Sequence, residues 1–369
     1  MNPPGNTSPV ANALSITEDR GGVDRHSLAR GGVVILAIMI IGLAFVWSFV
    51  GGLHQPTFHR VPIAVLGPPA LAHALSSSGQ FAVTPVDSRQ GAVSRIDAHK
   101  ALGGIVVGQR GIDVLVASVS GLTVAGALRT DLPPKLRTLA GPGTPIRVLD
   151  LKPAPRNDPL GLSPFYLALA VTVCNYIGAV FFGLAFGVKP MGRRVWWRLL
   201  GVGTVALFLA LGDVAVVYAI GPLHGHYVPL VLASLLLGLA VAVMTVGLQS
   251  LFGILGTAVA ILAFIVLGNP ASGGPLPTQV LPGIWRTLGP YLPGGAGTSL
   301  IRNIAYFGGQ NLTQPLLVLF TWLAVGAAFV LTSIHIRPLG LQTKPDFDLQ
   351  AAKRGALRNA PHTARDRAA

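Results

Sequence analysis

Charged residues are scarce in this chain of 369 amino acids, where Asp, Glu, Lys and Arg together account for only 11%. Soluble domains carry about 25% charged residues. Hydrophobic residues reach 51%, and the mean hydropathy is +0.62. This balance excludes an ordinary soluble protein, and we expect most of the chain to lie in lipid.

Cysteine and acidic residues are also rare. The single cysteine, Cys174, falls inside an apolar run and cannot form an intramolecular disulfide, so any region outside the membrane must be held by packing. The 13 acidic against 27 basic residues give a net charge of +14, which by itself would suit nucleic acid. The basic residues, however, cluster beside apolar runs rather than on one patch with aromatic residues. We therefore expect the lipid bilayer as a partner, and no nucleic acid.

Catalytic signatures are missing from the sequence. It holds no G-x-x-x-x-G-K-[ST] phosphate loop, no G-x-S-x-G and no H-E-x-x-H. The H-x-H pair His224 and His226 offers two ligands, too few for a closed metal site, and a solvated loop explains it better. We predict no catalytic residues, no cofactor and no metal, and hence no enzyme.

Six apolar runs are candidates to cross a membrane as helices. They are residues 33–53, 165–188, 195–220, 228–248, 251–267 and 315–336. Only Gln249 and Ser250 separate the fourth run from the fifth, and one helix over both would be about 60 Å long, twice the hydrocarbon thickness. We therefore predict two spans with a tight turn, and six transmembrane helices in all. The first run is too long for a signal-peptide core and no A-x-A site follows, which favours an uncleaved anchor over a signal peptide.

Between the first two runs, residues 54–162 have the composition of a soluble domain. Segments rich in Val and Ile predict strands at 62–66, 81–86, 104–107, 114–117 and 146–151. Helical patterns occur at 69–77, 89–100 and 122–139, the last broken by Pro133-Pro134. The order β-α-β-α-β-β-α-β predicts a small α/β domain that buries its own core. The expected fold class is mixed: a polytopic α-helical membrane protein with this domain before a five-helix region at 163–336.

Basic residues indicate the orientation. They concentrate in the polar tail 1–32, for which we expect disorder, in the loop 189–198 and in the tail 337–369. The intervening loops 221–227 and 268–314 hold only two basic residues between them. The positive-inside rule therefore predicts a multi-pass plasma-membrane protein with both termini cytoplasmic and an extracytoplasmic α/β domain.

The segment between the last two apolar runs is not typical of a flexible linker. Apolar residues recur at helical spacing in two pieces, Val280, Leu281, Ile284, Trp285 and Leu288, then Leu300, Ile301, Ile304 and Phe307. Arg286 and Arg302 are placed to snorkel to lipid headgroups, and Trp285, Tyr291 and Tyr306 suit an interfacial aromatic belt. Two interpretations stay open for the outer segment 268–313: a re-entrant hairpin covered by protein, or an ordinary interfacial amphipathic loop.

This segment, GNPASGGPLPTQVLPGIWRTLGPYLPGGAGTSLIRNIAYFGG, resembles the region before the last transmembrane helix of bacterial type-2 ABC transporter permeases. The chain is most similar to the subgroup with a large extracytoplasmic domain after the first helix, which includes phage-infection-protein-like membrane proteins. The resemblance covers roughly residues 33–337; the motif at 268–309 is fairly specific and the remainder generic. It implies the same outer domain, a homodimer or heterodimer, and a separate cytoplasmic ATPase subunit.

The resemblance also implies a function: the permease subunit of an exporter. Family members move drugs, lipids, polysaccharides or peptides, and the scarcity of charge within the predicted spans favours an apolar or amphipathic cargo. The rival interpretation is a non-transporting envelope scaffold or receptor that acts through its extracytoplasmic domain. A membrane-embedded enzyme lacks any catalytic set.

Asp213 is the only acidic residue well within a predicted span, and carboxylates at that depth are costly. It is a candidate for the substrate path, or alternatively a carboxyl that joins helices through Thr172 or Asn175. In the second span, Gly183-x-x-x-Gly187 predicts a close helix approach.

The loop 189–198 combines four basic residues with two tryptophans. A topology determinant beside an aromatic belt accounts for this composition. The resemblance adds a second role, contact with the ATPase, and assigns it to Arg193, Arg194 and Arg198.

Overall fold

The computed structural model describes residues 25–141, 143–189, 193–221, 223 and 225–335. The predictions for residues 1–24, for His224 and for the tail 337–369 lie outside this described part of the chain. The described residues form an α/β domain and a bundle of long apolar helices.

The α/β domain has the predicted element order, with bounds close to the predicted ones. Its strands are β1 (Val61–Leu66), β2 (Phe81–Pro85), β3 (Gly103–Gly108), β4 (Gly111–Val116) and β5 (Ile146–Asp150). The sheet order is β2-β1-β3-β4-β5, in which β3 and β4 are antiparallel and the other neighbouring pairs are parallel. Its helices are α2 (Pro69–Ser77), α3 (Arg89–Asp97), α4 (Leu122–Thr130) and α5 (Leu132–Ala140).

The break predicted at Pro133-Pro134 is confirmed. One helix ends at Thr130, Asp131 intervenes, and α5 begins at Leu132, so both prolines fall in its first turn. Proline is tolerated there because the first N–H groups of a helix have no intrahelical acceptor. The same residues that end one helix therefore begin the next.

Each face of the sheet carries its own core. On one face, the strand residues Ile63, Ile105 and Val114 are buried. They pack with Leu128 of α4 and Leu136 of α5. On the other face, Ala92 and Ile96 of α3 cover alternate residues of the same strands. Because both faces are covered, the β-strands are nearly continuous in hydrophobic residues, as in parallel sheets generally.

Five helices are long and apolar enough to cross a membrane, within the part of the chain that the structure describes. They are α1 (Arg25–Leu53), α6 (Ser163–Phe186), α7 (Arg193–Ile220), α8 (Tyr227–Phe252) and α12 (Thr313–His335). The most apolar stretch of α8 is 72% buried, against 22% or less for α1, α7 and α12, which identifies α8 as the central helix. A multi-pass membrane protein is therefore indicated.

The sixth predicted span is not confirmed as a full crossing. The chain reverses at Gly253, whose φ is +64°, and Gln249 and Ser250, the predicted turn, form the buried last turn of α8. The next helix, α9 (Ile254–Ile261), continues as a π-helical turn to Leu267. These 14 residues span about 21 Å, less than the hydrocarbon thickness of about 30 Å.

Glycines allow α8 and α12 to pack at backbone distance. A Cβ on Gly326 would lie 2.6 Å from the backbone of Met244, and one on Gly247 would lie 2.6 Å from the Gly326 carbonyl oxygen. Small residues at such crossings let helices in lipid gain van der Waals contact. The predicted Gly183/Gly187 pair serves differently: Gly183 leaves room for the Arg198 side chain, and Gly187 ends α6 with φ at +91°.

We predict that Gly326→Leu destabilises the bundle by about 1–3 kcal/mol, because the new side chain must push α12 away from α8. The matched control is Ala328→Leu, the same class of change on an exposed position of α12. Thermal unfolding in one detergent, followed by size-exclusion chromatography, compares the two variants. Equal midpoints would contradict the tight glycine crossing.

Candidate functional site

The segment 268–309, here called the hairpin, folds into short helices connected by tight turns. It contains α10 (Gly283–Leu288) and α11 (Pro293–Tyr306). The second predicted amphipathic piece is confirmed, since Leu300, Ile301 and Ile304 are buried in the bundle core. The first piece is shorter than predicted: Ile284 and Leu288 are exposed, and Val280 packs with the α/β domain instead.

Helix α11 is inserted among α6, α8 and α12. At its N-terminal end a Cβ on Gly297 would lie 2.6 Å from the side chain of Leu237. Leu237 is ten residues into α8, about 15 Å from the start of that helix. We call the end of the bundle that carries the α/β domain the domain end, and α11 reaches deep into the bundle from there.

Trp285 fastens the hairpin to α1. Its indole Nε1–H donates a 3.0 Å hydrogen bond to the Ser48 hydroxyl, and its ring lies 4.9 Å from that of Trp47. A side chain only 8% exposed and bonded to protein does not sit in an aromatic belt, so that prediction for Trp285 is wrong. Tyr291 is exposed, as a belt residue would be, while its carbonyl accepts a hydrogen bond from Trp322.

Arg302 lies inside the hairpin rather than at a headgroup layer. It is 5% exposed, and its guanidinium donates a 3.0 Å hydrogen bond to the carbonyl of Gly273, near the hairpin's first turn. The predicted snorkelling of Arg302 is therefore wrong, because the loop folds back over the side chain. Arg286, the other arginine, is half-buried on α10.

Tyr306 and Asp158 connect α11 to α6. The Tyr306 hydroxyl donates a 2.5 Å hydrogen bond to the Asp158 carboxylate. The same carboxylate accepts the backbone N–H groups of Leu162 and Ser163, where α6 begins, each at 3.0 Å. A carboxylate at a helix N-terminus is stabilised by the helix dipole. Tyr306 thus links α11 to the start of α6 and is not, as predicted, part of an interfacial aromatic belt.

The α/β domain rests directly on the hairpin. His99 stacks on Phe307 with ring centroids 4.0 Å apart, and its Nδ1 lies 2.5 Å from the amide oxygen of Asn303. Because the Asn303 amide nitrogen donates to the Asn311 carbonyl, its oxygen accepts, and His99 is the donor through Nδ1–H. Burial, together with the nearby charge of Arg302, lowers the pKa of His99 to about 4, although this hydrogen bond acts to raise it.

Backbone contacts strengthen this junction. The N–H of Thr57 donates a 3.0 Å hydrogen bond to the carbonyl of Val280, whose side chain belongs to the core of the α/β domain. A Cβ on Gly121 would lie 2.1 Å from Pro277, so the loop after β4 also abuts the hairpin. The hairpin is therefore packed between the domain and the bundle.

A small cavity lies beneath the hairpin. Its volume is about 10 Å³, at the limit of what one water molecule needs. Thr172 of α6 and Ser272 of the hairpin line it, and both hydroxyls are buried without a hydrogen-bond partner among the described residues. Two orphan hydroxyls at one small cavity are an unusual cost in a packed bundle.

On its other side, α11 borders an open apolar groove. The groove has a volume of about 540 Å³ and lies between α8, α11 and α12 at the domain end. Leu300 and Ile304 form its α11 wall, and His226, the described member of the H-x-H pair, lies at its rim. Thus α11 separates a small cavity of about 10 Å³ from an apolar groove of about 540 Å³.

Asp213 is placed on α7 beside α6. Asp213 is half-buried, and one of its carboxylate oxygens is buried without a hydrogen-bond partner in the described part of the chain. The alternative role of a helix-joining carboxyl predicted bonds to Thr172 or Asn175, but the Thr172 hydroxyl is unpaired and Asn175 donates to the Val171 carbonyl. Its electrostatic neighbour on α6 is Cys174. Asp213 is not part of the hairpin site.

The three arginines predicted to dock an ATPase separate into two groups. Arg193 and Arg194 are exposed at the start of α7, beside the exposed Trp196 and Trp197. Arg198, by contrast, is 0% exposed. The two exposed arginines remain available for a partner, and Arg198 does not.

The buried Arg198 is a clamp between helices. Its guanidinium donates to the Ala179 carbonyl of α6 at 3.1 Å and to the side-chain oxygen of Gln249 on α8. The Gln249 amide in turn donates to Thr257 of α9 at 2.8 Å. The docking prediction for Arg198 is therefore corrected, because these contacts leave its guanidinium no exposed surface.

No known protein family, curated protein or solved structure gives a significant match to this chain. Two buried arginines and the His99–Asn303 contact were not foreseen from the sequence. A basic residue beside an apolar run indicates a membrane boundary, but its position in the sequence does not show whether its side chain is exposed or buried. One signal in the sequence could have indicated carbonyl acceptors for Arg198: it follows soon after Gly187, the glycine at which α6 ends.

We predict that Ile301→Lys prevents normal folding, because Ile301 is 0% exposed and an uncompensated charge there costs several kcal/mol. Leu317→Lys is the control: Leu317 is 62% exposed near the start of α12, where a lysine can snorkel. Expression level and monodispersity in detergent are the measurements. Tolerance of Ile301→Lys would return the hairpin to an interfacial loop.

A second prediction concerns pH. Histidine in the unfolded chain titrates near 6.5, so between about 6.5 and 4 the unfolded state binds a proton that the folded state does not. The contribution of the His99 contact to the free energy of unfolding should be fully present above pH 6.5 and should decrease as the pH drops toward 4. His99→Gln keeps a neutral donor and should flatten the dependence of the unfolding temperature on pH, whereas His73→Gln, at an exposed position, should not. Parallel curves for wild type and His99→Gln would contradict this.

Proposed function

We propose that this chain is the membrane subunit of an exporter, a type-2 ABC transporter permease-like protein that acts as a dimer with a separate cytoplasmic ATPase. The observation that carries the proposal is the insertion of α11 among α6, α8 and α12 above a cavity of only about 10 Å³. Interrupted helices at membrane depth are tolerated where protein covers them or where they line a path. The cavity's volume of about 10 Å³ leaves no room for a cargo, which supports assigning this arrangement to a shut gate.

The hydroxyls beneath the hairpin support a gate that opens. The Thr172 and Ser272 hydroxyls have no hydrogen-bond partner among the residues that the structure describes. Water or a polar part of the cargo would satisfy both hydroxyls once the hairpin moved away from α6. A purely structural plug would gain stability from an apolar residue at either position.

The groove on the other side of α11 supports an apolar or amphipathic cargo. Its described lining side chains are aliphatic or aromatic apart from His226 at the rim. Movement of α11 would change the small cavity and the groove together, because Leu300 and Thr298 lie on the same helix. Asp213, outside this region, is proposed as a half-buried group that the cargo path reaches in another conformation.

The proposed topology has six passes with both termini cytoplasmic and the α/β domain outside. The short segment Ile254–Leu267 and the hairpin, which re-enters from the domain end, together complete the fifth pass. The exposed Arg193 and Arg194 would then lie at the cytoplasmic surface, where an ATPase could dock.

A scaffold or receptor is the second candidate, and the junction favours it. The α/β domain is fixed to the hairpin by backbone hydrogen bonds and by Val280 in its core. Such a junction would also transmit a binding event on the domain to the bundle. The two candidates differ in one component, the ATPase.

We predict that the full chain, purified in mild detergent from its native membrane, carries an ATP-hydrolysing subunit. Arg193→Glu with Arg194→Glu should reduce its recovery about tenfold or more, since reversing two interface charges opposes association. The control pair, Arg358→Glu with Arg365→Glu, removes two basic residues from the C-terminal tail without changing α7.

Orientation must be verified in each variant, because loss of inside charge can invert topology. A cysteine at the exposed Gly225, in a Cys174→Ser background, should react with an impermeant reagent from outside. Absence of any ATPase from the wild-type preparation would favour the scaffold or receptor. Equal recovery with correctly inserted Arg193→Glu/Arg194→Glu would remove the docking role.

A further inference from the structure

The end of the α/β domain that points away from the bundle contains a topological switch point. Leu102 precedes β3, and the nearby His99 touches the hairpin, so β1 and β3 run away from the bundle in parallel. After β1 the chain passes through α2 to β2 on one side, whereas β3 turns directly into β4 on the other. Divergent connections after adjacent parallel strands leave a crevice, the usual ligand position in open α/β sheets.

An apolar cavity of about 260 Å³ occupies this crevice. Its floor is the cross-strand pair Val107 and Ile112, and its walls include Leu71 and Ala74 of α2 and Leu139 of α5. The lining side chains are all Pro, Ala, Val, Ile or Leu, and Leu139 is 59% exposed. This volume is below the usual range of about 300–1,000 Å³ for small-molecule sites, which suits an alkyl segment better than a ring system.

A second, more open cavity of about 570 Å³, with both polar and apolar lining, adjoins the apolar one and shares Val107, Ile112 and Ala140 with it. It is bordered by the turn between β3 and β4 and by the loop before β5. Arg110 is the one charged side chain among its described lining residues, and it is exposed. Asp113, the nearest acid along β4, is already paired with Arg89 and Arg147.

We propose that this end of the α/β domain binds a single anionic amphipathic molecule, with its alkyl tail between α2 and α5 and its headgroup against Arg110. The two adjoining cavities match the two parts of such a molecule in polarity and charge. Strand β3 runs from the bundle side of the domain to the site, and its length of about 17 Å keeps the two apart. An alkyl tail must therefore leave the bilayer to occupy the site. The site does not depend on transport and would serve a receptor equally.

Photolabelling of the full chain in phosphatidylcholine nanodiscs tests the proposal. The probes are dodecyl phosphate and dodecyl glucoside, each with a diazirine at the end of the chain, and cross-links are mapped by peptide mass spectrometry. The phosphate probe should label residues 68–74 and 136–140. The glucoside probe, which has the same tail without the charge, should label them about tenfold less.

Two variants separate tail from headgroup. Ala74→Trp fills the apolar cavity and should reduce labelling by the phosphate probe about tenfold, whereas His73→Trp, on the same helix outside the lining, should not. Arg110→Glu should lower labelling by the phosphate probe and leave the glucoside probe unchanged. Arg60→Glu, an exposed arginine before β1, is its control.

Three results would overturn the proposal. They are labelling confined to the long apolar helices, labelling unchanged by Ala74→Trp, and equal labelling by both probes with no effect of Arg110→Glu. Ala74 is exposed, so its replacement leaves the buried core intact. Unchanged thermal unfolding of each variant shows that any loss of labelling reflects the site.

Discussion

The structure depends on satisfying backbone carbonyls where water does not reach. A hairpin with several glycines and prolines leaves carbonyls without helical partners, and each one buried unpaired costs about 1–3 kcal/mol. Arg302 meets this requirement by donating to Gly273 across the hairpin. A guanidinium suits the task because it carries five donors in a rigid fork and stays charged when buried.

The opposite end of the bundle uses the same solution. Arg198 donates to the carbonyl of Ala179 and, more weakly, to those of Gly187 and Val188, where α6 ends. The last carbonyls of a helix carry a partial negative charge. This charge stabilises a buried cation there, and the cation in turn stabilises the helix end. One buried arginine thus closes the irregular backbone at each end, and neither is free for a ligand.

The sequence predicted the α/β domain well because its signals are local. Alternation of Val and Ile runs with helical patterns, and the Pro133-Pro134 break, each act over a few residues. The sixth span stays unconfirmed for a physical reason: composition does not distinguish a 14-residue helix that joins a re-entrant segment from a full crossing. Gly253, the actual turn, has no Cβ and therefore tolerates its positive φ, which Ser250 would not.

The same limit explains the roles predicted for the hairpin. Trp285, Arg302 and Tyr306 have the composition of an interfacial belt, and each instead bonds to a residue far away in the chain: Ser48, Gly273 and Asp158. Amphipathic spacing shows which side chains seek an apolar surface, but not whether that surface is lipid or protein. Whether that surface is lipid or protein depends on the hydrogen-bond partners of these side chains, and tertiary packing determines those partners.

The junction between domain and bundle has one more consequence. Asn303 bonds to His99 of the domain through its amide oxygen and to the Asn311 carbonyl through its nitrogen, while Arg302, its neighbour, holds the hairpin closed. Adjacent residues on α11 therefore contact the α/β domain and the cavity-closing loop. A displacement of α11 cannot break one set of contacts without straining the other, since packed elements change arrangement in discrete steps. Any movement of the hairpin must therefore include the domain, whether the chain exports a molecule or reports one.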